Sequence, residues 1–415
     1  MATQTRATAD AVLKDLYVEP IVRLLNDKTY LLDQIERDAE SVDHTGRRAV
    51  FPVVRNRNRG RGSRPDAGTL PVAGYQDTTF ATVPIRYHYM GIEVSDAVIE
   101  ASKSDVGAFT NVLNMEIQGA ATDMKRDLNR QCFGFGTGEL ATVAAAATSG
   151  STTVTVDNGQ YITIGDVIDI RDPSTGAARV ANATVVGVTP ASGAQVTLTL
   201  DTALTANATT TDKVYIAGNR NNEMDGLGNM TNANRVLHGI DSSVAANSVV
   251  WNPAARLDAG NAVAGEDLFI RLADAVGRIS GAQVDLFLTT RGVRRRLANT
   301  YQSQKRFSDA KAVEVHGGYT AIWVNEIPVL VDDDCQMGRV YAITKDALRW
   351  FEQTKPGWLE QKDGSVFHLK QSAQPGQRDA VWQAWFRWYA AFAAKAPNRL
   401  GVIFNAQDDV YYARP

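Results

Sequence analysis

The chain has 415 residues, of which 44% are hydrophobic and 21% charged, with a formal net charge of -3. That balance excludes a disordered chain and leaves room for two or three folded units, while the slight acidity excludes a dedicated nucleic-acid binder that is basic throughout. Two cysteines, Cys132 and Cys335, form neither a disulfide framework nor a metal-ligand spacing and fit a reduced, intracellular setting.

From Asp10 to Asp38 the apolar residues Leu13, Leu16, Ile21, Leu24, Leu25, Leu31, Leu32 and Ile35 recur at helical but mixed spacing, broken at Pro20. Two short helices in a packing arm are predicted. The polar start carries no signal-peptide core, and no apolar run is long enough to span a bilayer.

Between Arg47 and Arg64 lie Arg47, Arg48, Arg55, Arg57, Arg59, Arg61 and Arg64, with Gly60 and Gly62 among them. Strand-like segments flank this stretch, Ala49 to Val54 on one side and Thr78 to Tyr89 on the other. In the first, Val50, Pro52 and Val54 alternate with Ala49, Phe51 and Val53, so both faces carry apolar side chains. The stretch from Arg55 to Gly74 has too little apolar content to fold on a core of its own. An arginine-rich tip of this kind suits either phosphate contacts or an arm that grasps a neighbouring subunit. No aromatic residue lies between Arg55 and Gly74 for base stacking, which favours the arm.

Ser95 is placed to cap a short helix over Asp96 to Ala101. From Asp105 to Phe133 the residues Val106, Phe109, Leu113, Ile117, Ala120, Met124, Leu128 and Cys132 form one apolar stripe at three- and four-residue steps. This predicts a long amphipathic helix, stopped by Gly134, Gly136 and Gly138. Those glycines end a helix instead of joining a strand to one, so they are read as a junction and not as a nucleotide loop.

From Glu139 to Gly218 charge thins out and Thr, Val, Ala and Gly dominate. Strands are predicted at 153–156, 161–164, 167–170, 183–188, 195–200 and 213–216, the first two joined by a hairpin turn at Asn158-Gly159. Short, closely spaced strands without a helix predict a small all-β barrel or sandwich inserted into a larger host. The host resumes near Met224 with a helix over Gly265 to Ser280, a strand over Val284 to Thr289 and a basic helix over Gly292 to Asn299. Strands at 321–324, 329–331, 340–343 and 400–404 follow. Val381 to Phe392 is aromatic on both faces, so periodicity alone leaves its type open, and a long buried strand is preferred. The host is mixed α+β.

Catalytic patterns are missing. The five histidines, His44, His88, His238, His316 and His368, are scattered and form no His-Glu-x-x-His pair. There is no Gly-x-Ser-x-Gly elbow and no phosphate-binding Gly-Lys loop. Asp332-Asp333-Asp334 is read as a solvated turn, because successive carboxylates on an extended segment diverge, and Arg294-Arg295-Arg296 as a solvated or ion-paired helix face. No enzyme activity, cofactor or metal is expected.

Taken in order, the arm, the arginine-tipped hairpin, the long helix and the α+β host resemble the major capsid protein of tailed double-stranded DNA bacteriophages, the Hong Kong 97-type fold. Phe51-Pro52-Val53-Val54 through Val94-Ser95 resembles that family's extended loop, and Asp105 to Phe133 its spine helix. Met224-Asp225-Gly226-Leu227 resembles the Gly-Leu step where that family's chain leaves the spine helix, Asp285 to Arg291 its axial-domain strand and helix, and Gly318 to Val329 its strand pair before an acidic turn. The resemblance implies an N-terminal arm (1–46), an extended loop (47–94) and a peripheral domain with the spine helix (95–138). It continues with the inserted barrel-like domain (139–218), a mainly axial region that returns to the peripheral domain (219–378) and C-terminal strands (379–415).

The implied function is structural. Copies assemble into pentamers and hexamers of an icosahedral head shell around packaged double-stranded DNA, without sequence-specific binding and without a membrane, in the cytoplasm of a bacterial host. A portal and a decoration protein are the other implied partners. The Hong Kong 97 prototype carries a cleaved N-terminal scaffolding segment. Little precedes the hairpin here, so a separate scaffolding protein is expected. The prototype's Lys–Asn cross-link has no motif to place it on this sequence. Residues expected at subunit contacts are Arg55, Arg57, Arg59, Arg61 and Arg64 on the loop, paired with Asp123 and Asp127 of a neighbour's helix. Two rival readings are an encapsulin-like nanocompartment shell and a nucleic-acid-binding protein that uses the arginine-rich loop.

Overall fold

The computed structural model describes residues 29–38, 42–43, 48–97, 110–304, 314–315, 319–320, 322–360, 364–371 and 378–408. The expected helical segment before residue 29, most of the short helix after Ser95 and the opening of the long helix at 105–109 lie outside the described residues. The chain divides into two compact units.

One unit contains Met90–Thr122 and Trp358–Trp385 among its segments. Its strand His368–Gln371 runs antiparallel to the first part of strand Arg378–Ala394, with Leu369 opposite Trp382. Alternation in the strand Arg86–Ser95 turns Ile92 inward, where it packs with Ala120 and Ala384 under Trp358 and Phe367. Glu93, pointing the other way, accepts from Lys370 Nζ at 2.8 Å and from Gln383 Nε2 at 2.5 Å. Those two donors hold its carboxyl below the ordinary glutamate range.

The second unit contains Lys28–Tyr89, Asp123–Gly357 and Phe386–Pro415. At its centre is a six-stranded mixed sheet. The spatial order is Ala255–Asp258, Gly401–Phe404, Val340–Ile343, Leu286–Thr289, Ile327–Val331 and Ile322–Val324. Two pairings are parallel, Ala255–Asp258 with Gly401–Phe404 and Leu286–Thr289 with Ile327–Val331. Leu286–Thr289 is buried at every position, as a central strand covered on both faces must be. The helix Glu266–Ser280 covers the sheet with Phe269, Leu272 and Val276, and the helix Arg291–Gln304 adds Val293 and Leu297. Glu266 and Asp267 in the first turn complement the helix dipole. Gly281, at φ 71°, ends that helix in the left-handed conformation.

The residues from Glu139 to Ile216 build a separate six-stranded antiparallel sheet. Its order is Glu139–Thr142, Lys213–Ile216, Val167–Arg171, Ala178–Pro190, Val196–Leu200 and Thr153–Val156. The two outer strands meet. Val143 bridges to Val156, and Ala144 N donates to Thr155 O at 2.8 Å, so the sheet closes into a barrel. Alternate residues such as Val154, Val156, Val196, Leu198 and Leu200 fill its interior.

One strand expected here does not form. Tyr161 to Ile164 lies in turn structure, and Thr153–Val156 pairs with Val196–Leu200 instead of making a hairpin at Asn158-Gly159. Local side-chain bonds compete with the ladder. Asp157 Oδ1 accepts from Thr142 N, Asn158 Oδ1 from Gln160 N, and Asp166 Oδ2 from Thr163 N. Ile162 is fully buried in the barrel interior.

The acidic triplet also departs from expectation. Asp332 and Asp334 are only 2% and 3% exposed, while Asp333 forms a two-pronged ion pair with Arg291. The directions do alternate, but the inward carboxylates have work to do. The helix Tyr30–Asp38 presents unpaired amides at its start. Leu31 N donates to Asp332 Oδ2 at 2.9 Å and Leu32 N to Asn129 Oδ1 at 3.0 Å. Asn129 Nδ2 in turn donates to Asp334 Oδ2 at 2.6 Å. A helix near one end of the chain is thus capped by side chains far away in sequence. Burial and the neighbouring Asp334 push Asp332 up to about 7. The stability tied to this raised value is complete below the ordinary Asp value of 3.8 and is lost as pH rises through about 7. Asn129→Leu should cost about 1–3 kcal/mol by orphaning the Leu32 amide. Urea denaturation reads the loss, and an unchanged midpoint contradicts the capping role.

Candidate subunit interface

Strands Arg48–Asn56 and Asp77–Pro84 form a two-stranded antiparallel hairpin, registered Arg48 to Pro84 and Val54 to Thr78. Its inner face is anchored at the root, where Ala49 and Val83 are buried and join Ala391, Ala393 and Phe351 in one apolar cluster. The outer face is apolar too and uncovered. Val50, Val54 and Phe80 are 55%, 52% and 69% exposed, and Pro52 sits opposite Phe80. The sequence pattern of apolar residues on both faces is the signal for this, since only one face meets the protein's own core.

Beyond Asn56 the chain makes an irregular tip. Asn58 cross-braces it, accepting from Gly60 N at 2.7 Å and donating to Gly74 O at 2.8 Å. The two sides approach so closely that a Cβ on Gly60 would lie 2.5 Å from Gly74 N. Leu70, Val72 and Tyr75 stand fully out from this tip. The low apolar content of the stretch from Arg55 to Gly74 hides Leu70 and Val72, and Tyr75 lies just beyond it. Leu70-Pro71-Val72 was the available signal.

Of the expected contact residues, Arg55 sits at the neck. It is paired with Asp77 at 2.8 Å and bonded to Asn247 Oδ1 at 3.4 Å. Arg64 is drawn into the tip by bonds to the carbonyls of Thr69 and Ser63. Arg57, Arg59 and Arg61 are exposed and form no ion pair among the described residues. Asp123 is exposed on the long helix Thr110–Phe133.

Asp127 is half-buried and already engaged inside its own chain, accepting from Arg130 Nε at 3.0 Å and from Gln131 Nε2 at 2.8 Å. Burial alone would raise its carboxyl, but the Arg130 charge and the two hydrogen bonds outweigh that and hold it below the ordinary range. Arg130 also forms a fork with Glu223, at 2.6 and 3.2 Å. Asp127 therefore belongs to a buried ion cluster at the end of the long helix.

A second uncovered surface lies on the strands Arg86–Ser95 and Arg378–Ala394. Tyr87 and Tyr89 stand half exposed beside Tyr389, with the Tyr89 and Tyr389 hydroxyls 2.8 Å apart. The Arg387 guanidinium lies over the Tyr389 ring at 5.9 Å. Tyrosine and arginine are enriched where proteins meet. Among the described residues no group of His, Cys, Asp and Glu side chains could hold a metal ion, and no helix is long and apolar enough to cross a membrane.

No family model and no curated protein matches this chain in sequence. Solved structures match over nearly its whole length. The capsid asymmetric unit of cyanophage A-1(L) shares 11% identity at a TM-score of 0.58, covering 97% of this chain and 100% of that one. The capsid of a native GTA particle gives 11% and 0.51, covering 98% and 99%. The holo-SrpI encapsulin complex from Synechococcus elongatus PCC 7942 gives 9% and 0.51, covering both chains completely. At such identities the likeness establishes the fold. The chain has the Hong Kong 97-type α+β fold.

Proposed function

We propose that this chain is a major capsid protein whose copies close into pentamers and hexamers of an icosahedral shell around double-stranded DNA. The observation that carries the reading is the hairpin with an uncovered apolar face, in a chain whose whole length shares its fold with shell-forming proteins. A two-stranded hairpin is marginal in water unless something packs on it, and its own chain covers only the inner face at the root. A neighbouring copy supplies the rest. Head-to-tail contacts that close by rotation give rings, and each copy would share at least about 2,000 Å² with its neighbours.

In this reading the role is structural and not catalytic. The closed barrel is an inserted domain at 139–218, and a separate scaffolding protein and a portal complete assembly in the cytoplasm of a bacterial host. Arg57, Arg59 and Arg61 pair with acidic groups of the next copy, of which Asp123 is the outward-facing candidate on the long helix. One exposed pair contributes only about 0–1 kcal/mol, so the tip works through several arginines repeated around each ring. Replacing Arg57, Arg59 and Arg61 together with glutamate should abolish shells while the melting temperature of the monomer stays put. Normal particles under the electron microscope would refute this.

The encapsulin match, complete over both chains, supports one rival, a shell that encloses protein. Electron microscopy of the purified protein tests shell formation itself. Particles isolated from the native host then separate the two readings. Nuclease-protected DNA inside supports the capsid, and an enclosed enzyme supports the rival.

A further inference from the structure

His238 and Gly239 form the turn between the short strands Val236–Leu237 and Ile240–Asp241. Their φ angles of 51° and 78° are the two positive values that a two-residue type I′ turn requires. This turn reaches the root of the extended hairpin. The carbonyl of His238 accepts from Thr82 N, on the hairpin's return strand, at 2.7 Å. The imidazole is buried edge-on to Trp251, and its Nε2 accepts from Ala394 N at 3.3 Å.

An accepting Nε2 carries no hydrogen, so the neutral ring holds its proton on Nδ1. Nδ1 is buried without a hydrogen-bond partner. The Asp225 carboxylate waits 3.6 Å away, too far to bond. The charged groups acting on the ring are Asp225, from the chain leaving the barrel, and Arg235, from the same short hairpin. Helix Ala245–Trp251 brings no ionisable side chain, and Thr82 and Ala394 are neutral.

We propose that His238 is a proton-operated latch that fixes the root of the extended hairpin. A proton taken from solvent at Nε2 turns an acceptor into a donor that faces the Ala394 amide. The Ala394 bond breaks, the imidazolium is drawn toward Asp225, and the turn that holds the Thr82 edge is released. The hairpin can then change its angle without unfolding the sheets. Burial lowers the histidine to about 4, with Asp225 opposing the shift and Arg235 adding to it. Closure is therefore complete above the ordinary histidine value of 6.5 and is lost as pH falls through about 4.

The inference rests on reading the hairpin as the arm between subunits, but its test uses unassembled full-length protein, so a failure to form shells leaves it standing. Hydrogen exchange, corrected for the intrinsic rate, is followed from pH 7 to 3.5 in the wild type and in His238→Gln, whose side-chain oxygen keeps an acceptor near Nε2 that does not titrate. Protection of the Thr82 and Ala394 amides should fall by up to about tenfold per pH unit between pH 6.5 and about 4 in the wild type, level off below that, and hold in His238→Gln. Equal loss in both proteins overturns the proposal. So does wild-type loss that extends equally to Gly401–Phe404 in the central sheet. Should the variant not fold, NMR of the wild type decides. One shared midpoint for the His238 ring and the Ala394 amide supports the latch, and separate midpoints refute it.

Discussion

Val54→Asp combined with Phe80→Asp yields a folded protein that no longer closes into shells. Both side chains stand on the outer face of the hairpin, more than half exposed, and touch none of the cores that hold the units together. Exposed substitutions of this kind change stability by only about 0.5 kcal/mol. In a shell the same face would be covered, and each aspartate would lose its water without gaining a cation. That desolvation costs several kcal/mol per ion, repeated at every copy of a ring. Phe80→Leu, which keeps the face apolar, should still assemble. Electron microscopy and sedimentation read the particles, and circular dichroism confirms the fold. Normal shells from the double aspartate variant would mean that this face is not buried on assembly.

Glu223→Ala should be among the most destabilising single changes in the chain, costing about 3–5 kcal/mol. The Arg130 guanidinium and the Glu223 carboxylate are 9% and 3% exposed and meet as a fork at 2.6 Å. Deleting the carboxylate strands a buried cation with only Asp127 beside it. The double change Arg130→Met with Glu223→Leu removes both charges and fills the space, and should cost less than the single change. Urea denaturation of the three proteins decides. A Glu223→Ala midpoint within 1 kcal/mol of the wild type, converted through the denaturant slope, would contradict a buried and uncompensated charge.

Several elements were legible because one physical signal dominated each. The stripe ending at Ala120, Met124, Leu128 and Cys132 fixed a helical period, and those four residues are buried along Thr110–Phe133. Period-two alternation placed Thr153–Val156 and Val196–Leu200. The aromatic run near the C-terminus, whose periodicity leaves its type open, forms the preferred strand, Arg378–Ala394, but it is continuously buried only from Ala390 onward. Asn325-Glu326 takes positive φ at 49° and 66° and reverses the chain between Ile322–Val324 and Ile327–Val331, close to the strands expected at 321–324 and 329–331.

What stayed illegible depends on partners distant in sequence. Nothing near Asp332 announces the helix amides that bury it, because Leu31 is 301 positions away. Asp127 reads as a surface carboxylate on a helix, and only the return of Glu223 to Arg130 shows that it faces a buried cluster. Asn158-Gly159 is a sound hairpin signal, yet Asp157, Asn158 and Asp166 satisfy the neighbouring amides first. His238 carried no motif at all. Its place at the hairpin root follows from a turn whose partners lie at Thr82 and Ala394.

The barrel begins and ends on adjacent strands. Glu139 pairs directly with Tyr215, so the chain enters and leaves within about 5.5 Å, the spacing of neighbouring strands. For the rest of the chain, the nearly eighty residues between them amount to a gap that one or two residues could bridge. Taken as the inserted domain proposed above, the barrel is a cassette, and exchanging or removing it should leave the frame around it with its dimensions.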